Sequence, residues 1–300
     1  MLDLETFFIA VYTVVDDIYK EAVAPLIGNR NGPEPRFSDS ELITLSLVAE
    51  FLGIDSERAF LSFVRKNFSY LFPDLPERSR YNRKRRDLAW ATDRVRKVLL
   101  HYLGTYSDSC RIIDSIPIPV CKYCRAKRGQ VKVFVEEADF GVCESKEEKF
   151  YGFKLHFLLS LEGVPTDFTV ASANHHDVKL VWDLVDPYQN LILIGDKGYI
   201  SQSLEEELKE LRNILLVTAK RKNQKVQNPI KLDHLITKTR KIIETVAEQL
   251  IGQFNLSRNL AKSMWGFITR IISKITSYTL GIYLNRLFSF PLLNVKELIF

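Results

Sequence analysis

"LILIGDKGYI", Leu191 to Ile200, is the stretch on which the fold turns. Leu191 to Gly195 reads as a buried strand, a short apolar run closed by turn-forming residues. Asp196, Lys197 and Gly198 follow at once. Asp-Lys-Gly is good turn chemistry, and a lone aspartate there is more often a turn residue. A carboxylate just past the end of a central strand also stands where open α/β sheets place their ligands.

Outward from this strand, helices and strands alternate. A helix from Asp177 to about Leu184 precedes it, and "SLEEELKELR" (Ser203–Arg212) follows as a helix before the strand "NILLVTA" (Asn213–Ala219). A basic loop, "KRKNQK", then leads into a helix from Asp233 to about Phe254. On the other side, "CRII" reads as a strand ending at Asp114. "FYGFKLHFLLSLEGVPTDFTVAS" reads as a hairpin turning at Glu162-Gly163, and residues 121–149 as loop with some strand. An antiparallel start followed by alternation predicts a mixed sheet with helices on its faces.

The first hundred residues read as helical. "FSDSELITLSLVAEFLG" has Ser38 and Glu41 at capping-box spacing and closes at Gly53; "DSERAFLSFVRKNF" follows as a second helix. A third runs from about Ser79 to Leu103, and Leu260 to Leu287 reads as apolar helix. The expected organisation is an all-helical domain over 1–107, followed by an α/β domain over 108–300 that includes the C-terminal helices.

Asp114 repeats the arrangement of Asp196 at a second strand end. If the strands are neighbours, two carboxylates converge on one sheet edge, which is costly without a cation or a shared proton. A hard divalent cation with oxygen ligands is the usual compensation, and it calls for a third acid. Glu244 in "TRKIIETVAEQL" is a candidate, four residues after Arg240 on one helix face; alone it would read as an exposed, paired glutamate.

Asp114 in "IIDSIPIPVCK", Asp196 in "GDKGY" and Glu244 in "RKIIE" resemble the three acids of insertion-sequence DDE transposases. With "FSDSELITLSLVAEFLGIDSE", "FYGFKLHFLLS" and "YTLGIYLNRL", the chain is similar to the insertion-sequence-982 family over nearly its whole length. The resemblance implies a ribonuclease-H-like core. In it Asp114, Asp196 and Glu244 are the catalytic residues and bind two Mg2+, with Mn2+ able to substitute. It implies cleavage at element ends and transfer of the freed 3′-hydroxyl into target DNA. Relatives carry a Tyr and a Lys where this chain has Thr237 and Ile251, so contacts assigned to those two do not transfer, and Glu248 stays open as the third acid. A ribonuclease-H-like nuclease without strand transfer, and an inactive DNA-binding remnant, remain the alternatives.

The net charge is only +5, from 42 Lys and Arg against 37 Asp and Glu, so distribution decides more than the total. "RSRYNRKRR" packs Arg78, Arg80, Arg83, Lys84, Arg85 and Arg86 into nine residues. The bland reading is a solvated helix face; the functional one is a phosphate-binding strip, which makes 1–107 an expected helix-turn-helix-like DNA-binding domain ahead of the catalytic domain over 108–300. Lys220, Arg221, Lys222 and Lys225 form a second strip, and Lys154 and Arg240 are further candidates for contact with DNA. The expected partner is double-stranded DNA, as terminal inverted repeats and as target. Cutting two ends together implies a homodimer or larger assembly.

Cys121 and Cys124 have C-x2-C spacing, with Cys110 and Cys143 elsewhere, but the second close pair of a strong zinc site is missing. His175-His176 before Asp177 reads as a helix start, with a supporting role beside the acids open to it. There is no P-loop and no G-x-G-x-x-G, so no nucleotide cofactor is expected. "FFIAVYTVV" (Phe7–Val15) is short and follows Asp3 and Glu5 instead of a positive segment, so a cytoplasmic, nucleoid-associated protein without membrane contact is expected.

Overall fold

In the computed structural model, residues 1–28, 35–143, 148–220 and 228–299 are described. The chain forms two compact units. One comprises 1–103 and 249–300, the other 104–248.

The 104–248 unit is built on a six-stranded mixed sheet: β1 (Cys110–Cys121), β2 (Asp139–Cys143), β3 (Glu148–Leu159), β4 (Pro165–Ser172), β5 (Ile192–Gly195) and β6 (Leu215–Thr218). β3 lies antiparallel to β1, with β2 and β4 sharing its far edge; β5 and β6 continue beyond β1 as parallel strands. The hairpin read from the sequence is β3–β4, turning at Gly163, whose φ of 81° suits glycine.

Side chains alternate across a strand, so the short apolar β5 buries both faces. Leu193 joins Ile113, Leu184, Leu204 and Leu208 on one side, and Ile194 joins Val217 and Ile236 on the other.

The sequence placed the end of the first strand at Asp114. Instead β1 runs on to Cys121, paired with β3 alone after β5 leaves at Ile113. Pro117 and Pro119 obscured this continuation. With a neighbour on one side only, their missing N–H donors leave no gap in a central ladder.

The other unit is helical: α1 (Leu4–Ile18), a π-helical turn (Tyr19–Val23), α2 (Ala24–Ile27), α3 (Asp39–Phe51), α4 (Glu57–Asn67), α5 (Arg78–Asp87) and α6 (Ala89–Tyr102). The sheet unit then adds α7 (Tyr123–Lys127), α8 (Val181–Val185), α9 (Gln202–Arg212) and α10 (Ile230–Gly252), and α11 (Met264–Leu287) completes the helical unit. Ser38 and Glu41 make the expected capping box. The single helix expected from Ser79 to Leu103 breaks at Leu88, whose φ and ψ of −93° and 10° leave the helical region.

The C-terminal helices were assigned with the catalytic domain. The structure groups 249–300 with the N-terminal helices instead. The cause is α3, in which every residue except Glu41 is buried, so its polar side chains need partners. α11 supplies them: Ser273 Oγ meets Ser46 Oγ at 3.2 Å, Ser277 donates to the Leu47 carbonyl at 2.9 Å, and Lys274 Nζ reaches Glu50 at 2.5 Å. Arg85 of α5 closes the network on the other oxygen of Glu50 and lies 3.6 Å from Glu57. Burial pushes the Glu50 carboxyl up, but Lys274, Arg85 and Arg270 outweigh it and hold it below its ordinary range.

Glu50→Gln strands two buried cations, Arg85 and Lys274, beside a neutral group. Breaking a buried pair from one side costs roughly 3–5 kcal/mol. Urea denaturation at pH 7 should show a loss of that size. The parental advantage should fade as pH falls through the depressed Glu50 titration, because a lowered carboxylate stabilises only above its unfolded value.

Candidate active site

The site forms where β5 parts from β1. Ile113 pairs with Gly195 as the last step of their parallel ladder, so Asp114, still on β1, and Asp196, just past the end of β5, are the next residues of the two chains of backbone. Neighbouring strands lie about 4.8 Å apart, which brings the two carboxylates to one edge of the sheet.

Asp196 is fixed by its own turn, accepting from Gly198 N at 2.8 Å. A Cβ on Gly198 would stand 3.0 Å from Asp196 Oδ1 and 3.5 Å from Asp177 Oδ2, so the glycine lets both acids close over the backbone. The Asp-Lys-Gly signal therefore serves turn and site together.

Asp114 carries the largest consequence. Burial, then the charges of Asp196 and Asp177, push its carboxyl up to about 7, against hydrogen bonding by Ser115 N–H and the charge of Arg240. Beneath it Tyr199 is fully buried, and burial and then the same three aspartates hold its hydroxyl well above its ordinary value.

Asp177 is the acid that sequence reading passed over as a helix start. It begins the 3-10 turn Asp177–Leu180 ahead of α8 and meets β1 and β3 from outside: Ser115 Oγ lies 3.5 Å from its Oδ2, and Lys154 Nζ 2.8 Å from its Oδ1. His156 Nε2 is 4.0 Å from Oδ1. The His156 ring is fully buried and neither nitrogen has a hydrogen-bond partner; burial brings its pKa down to about 4, against the pull of Asp177. Its signal was position: Lys154 and His156 are two apart on β3, so they share a face.

A family model described as the transposase DDE domain matches residues 105–263, just over half of the chain. The chain belongs to the DDE transposases. No curated protein matches it. The transposase is a DNA-cleaving and transposing enzyme, and its mixed sheet with flanking helices fits a ribonuclease-H-like core.

DDE transposases generally depend on a divalent metal. Asp114 and Asp196 fit that need in part. They are oxygen donors suited to a hard cation, and the charge that raises Asp114 is what a cation would relieve. Among the described residues, however, no group of three His, Cys, Asp or Glu side chains is arranged to hold a metal. Glu244 is exposed on α10, and no bond links it to the two aspartates; Arg240, one turn earlier, is the α10 residue whose charge reaches Asp114. Asp177 reaches Asp114 by charge but commits Oδ1 to Lys154.

The basic residues divide. Arg80 and Arg83 are exposed on α5, and Lys84 is half-buried. Arg85 departs from the expected DNA strip: only 5% exposed, it is spent on Glu50 and Glu57, since a ten-residue helix cannot turn six cations to one face. Lys154, expected at the DNA, carries its ammonium 2.8 Å from Asp177 Oδ1. Lys220 is half-buried two residues past β6, on the edge that carries Asp196. Arg221, Lys222 and Lys225 lie outside the described residues.

Among the described residues no disulfide joins the cysteines: Cys110 is buried at the start of β1, Cys121 ends that strand, Cys124 is exposed on α7, and Cys143 ends β2. Among the described residues no helix is long and apolar enough to cross a membrane.

A carboxyl raised above its unfolded value of 3.8 stabilises the fold while protonated and loses that contribution as pH rises toward 7. In EDTA, Asp114→Asn should therefore melt above the parent at pH 8, by on the order of 1–3 kcal/mol once solvent screening is allowed for. The gap should close as pH falls toward 4. Differential scanning calorimetry across that range checks it, and Mg2+ at pH 8 should narrow the gap by favouring the ionised parent.

Proposed function

We propose that this transposase cuts at the ends of its insertion sequence and joins the freed 3′-hydroxyl to target DNA, with Asp114 and Asp196 as its central catalytic acids. The observation that carries the reading is their adjacency, on β1 and just past β5, at the sheet edge. The kinship to the insertion-sequence-982 family, resting on the motifs quoted above, favours Glu244 as the third acid; Glu248 and Asp177 are its competitors. Two Mg2+ ions, or Mn2+ in their place, are the expected metals. When bound, such ions lower the pKa of water and clamp the attacking and leaving oxygens of an in-line displacement.

This chain's residues do the rest. Asp114, its carboxyl pushed up to about 7 by burial and the neighbouring aspartates, would hold a cation in place of a proton. The Asp196 turn keeps its carboxylate oriented from the strand end, a rigid mount. Lys154 offsets Asp177, so the edge is less repulsive to a phosphate. Arg240 and Lys220 supply positive charge for the DNA strand.

In the first step water adds to phosphorus and the 3′-oxygen leaves with a proton. In the second, that 3′-hydroxyl attacks a target phosphodiester and displaces its 3′-oxygen. No protein nucleophile takes part. The helical unit, with Arg78, Arg80, Arg83 and Arg86 on or beside α5, is the proposed reader of the terminal inverted repeats, through a helix-turn-helix-like pair in which α4 is the exposed member. Two copies acting on paired ends, at the nucleoid, complete the reading.

Asp196→Asn keeps size and removes charge. Cleavage of DNA flanking the protein's own gene, mapped in Mg2+, should drop by several orders of magnitude. DNA binding in EDTA should stay equal or tighten, because repulsion of phosphate falls. Near-parental cutting by this variant sinks the mechanism. Glu244→Gln, Glu248→Gln and Asp177→Asn, each checked for parental melting, identify the third acid by which one abolishes cleavage. A pre-cleaved end that is never joined to target would favour the nuclease alternative.

A further inference from the structure

The helical unit contains a cavity of about 650 Å³ bounded by α4, α5 and the start of α11. Six cations line it: Arg58, Arg78, Arg85, Arg86, Lys262 and Arg270. Of the two lining acids, Glu57 is matched and Asp55 only in part, its Oδ1 being buried without a hydrogen-bond partner. Glu57 pairs with Arg85 and accepts from Asn82, and Asp55 lies 3.6 Å from both Lys274 and Arg258. Arg270 donates to the Asp55 carbonyl. Among the described residues, Arg58, Arg78, Arg86 and Lys262 have no ion-pair partner. The Nε atoms of Arg85, itself nine-tenths buried, and of Arg86 are buried without a hydrogen-bond partner. Ser56 at the start of α4, and Ser263 and Gly266 at the start of α11, also stand on the wall, so two helix N-termini add their partial positive charge.

We propose that this cavity is a phosphate-binding pocket that takes a backbone phosphate of the DNA bound by the helical unit. Unpaired guanidinium groups, orphaned N–H donors and helix N-termini together call for a multidentate anion, and phosphate matches the planar fork of arginine. Two observations favour a DNA strand over a free phosphate. Arg80 and Arg83 extend the positive surface along the exposed side of α5, which suits a polyanion. Trp265, 60% exposed, is held by its Nε1–H on the Arg86 carbonyl at 3.1 Å and offers a flat apolar face against which the deoxyribose beside a bound phosphate can pack. The inference rests on the reading that the chain binds DNA, and it adds Arg58, Lys262, Arg270 and Trp265, none of them in the basic strip of the sequence.

The test uses the full chain in EDTA. Arg58→Ala with Lys262→Ala should lower affinity for a duplex about tenfold and make the log–log salt slope shallower by roughly 2, with melting in phosphate-free buffer unchanged. Trp265→Ala should weaken binding without altering the slope. Parental affinity and slope in the double variant overturn the inference. If Arg80→Ala with Arg83→Ala still weakens binding in that case, the DNA-binding reading survives and the pocket alone fails. A parent that binds no DNA at any salt sinks both. Pyrophosphate separates the sources. Should it raise the parental melting temperature but not that of the double variant, while DNA binding is equal in both, the pocket takes free phosphate and the DNA assignment is overturned.

Discussion

Parallel pairing of β1 with β5 is the constraint from which the site follows. Their ladder ends at Ile113 and Gly195, and the next residue along each backbone is an aspartate. Two like charges are thereby held together by backbone hydrogen bonds, not by any attraction of their own. The fold tolerates this because one of them, Asp114, takes up a proton near neutrality, and because Lys154 and Arg240 bring positive charge to the same edge. Like charges held this close favour a shared proton or a nearby cation, which is the feature the proposed mechanism uses.

The same economy of charge appears in the helical unit with a different outcome. Glu50, Arg85 and Lys274 are almost wholly removed from water, yet each charge is matched at close range. Around them Arg58, Arg78, Arg86 and Lys262 have no ion-pair partner among the described residues. One α5 sequence thus serves two purposes: Arg85 locks the interior, while Arg78 and Arg86 line a cavity and Arg80 and Arg83 face solvent. Helical periodicity makes that partition, since residues one or two apart point in different directions.

Much of this was legible in the chain. Apolar runs with turn residues gave the strands, capping residues gave the start of α3, and Asp114 and Asp196 announced themselves as acids beside apolar strands. The resemblance carried by "GDKGY" and its companions led to the DDE transposases, a membership that the match over residues 105–263 bears out. The extension of β1 beyond Asp114 was hidden by Pro117 and Pro119, which read as breakers unless one knows that the strand has a neighbour on one side only.

What the sequence by itself determined is local: element type, the turn at Asp196, the density of charge in α5. Whatever depends on which elements become neighbours was decided by the tertiary structure. Asp177, Lys154 and Ser115 lie on three different elements, so no spacing rule could join them into one cluster. Lys274 and Glu50 are separated by 224 residues, and the polar groups of α11 make sense only once α3 is laid against them. Local chemistry is written along the chain, whereas burial and the partnering of charge arise from packing, and packing alone turned Arg85 inward and assigned α11 to the helical unit.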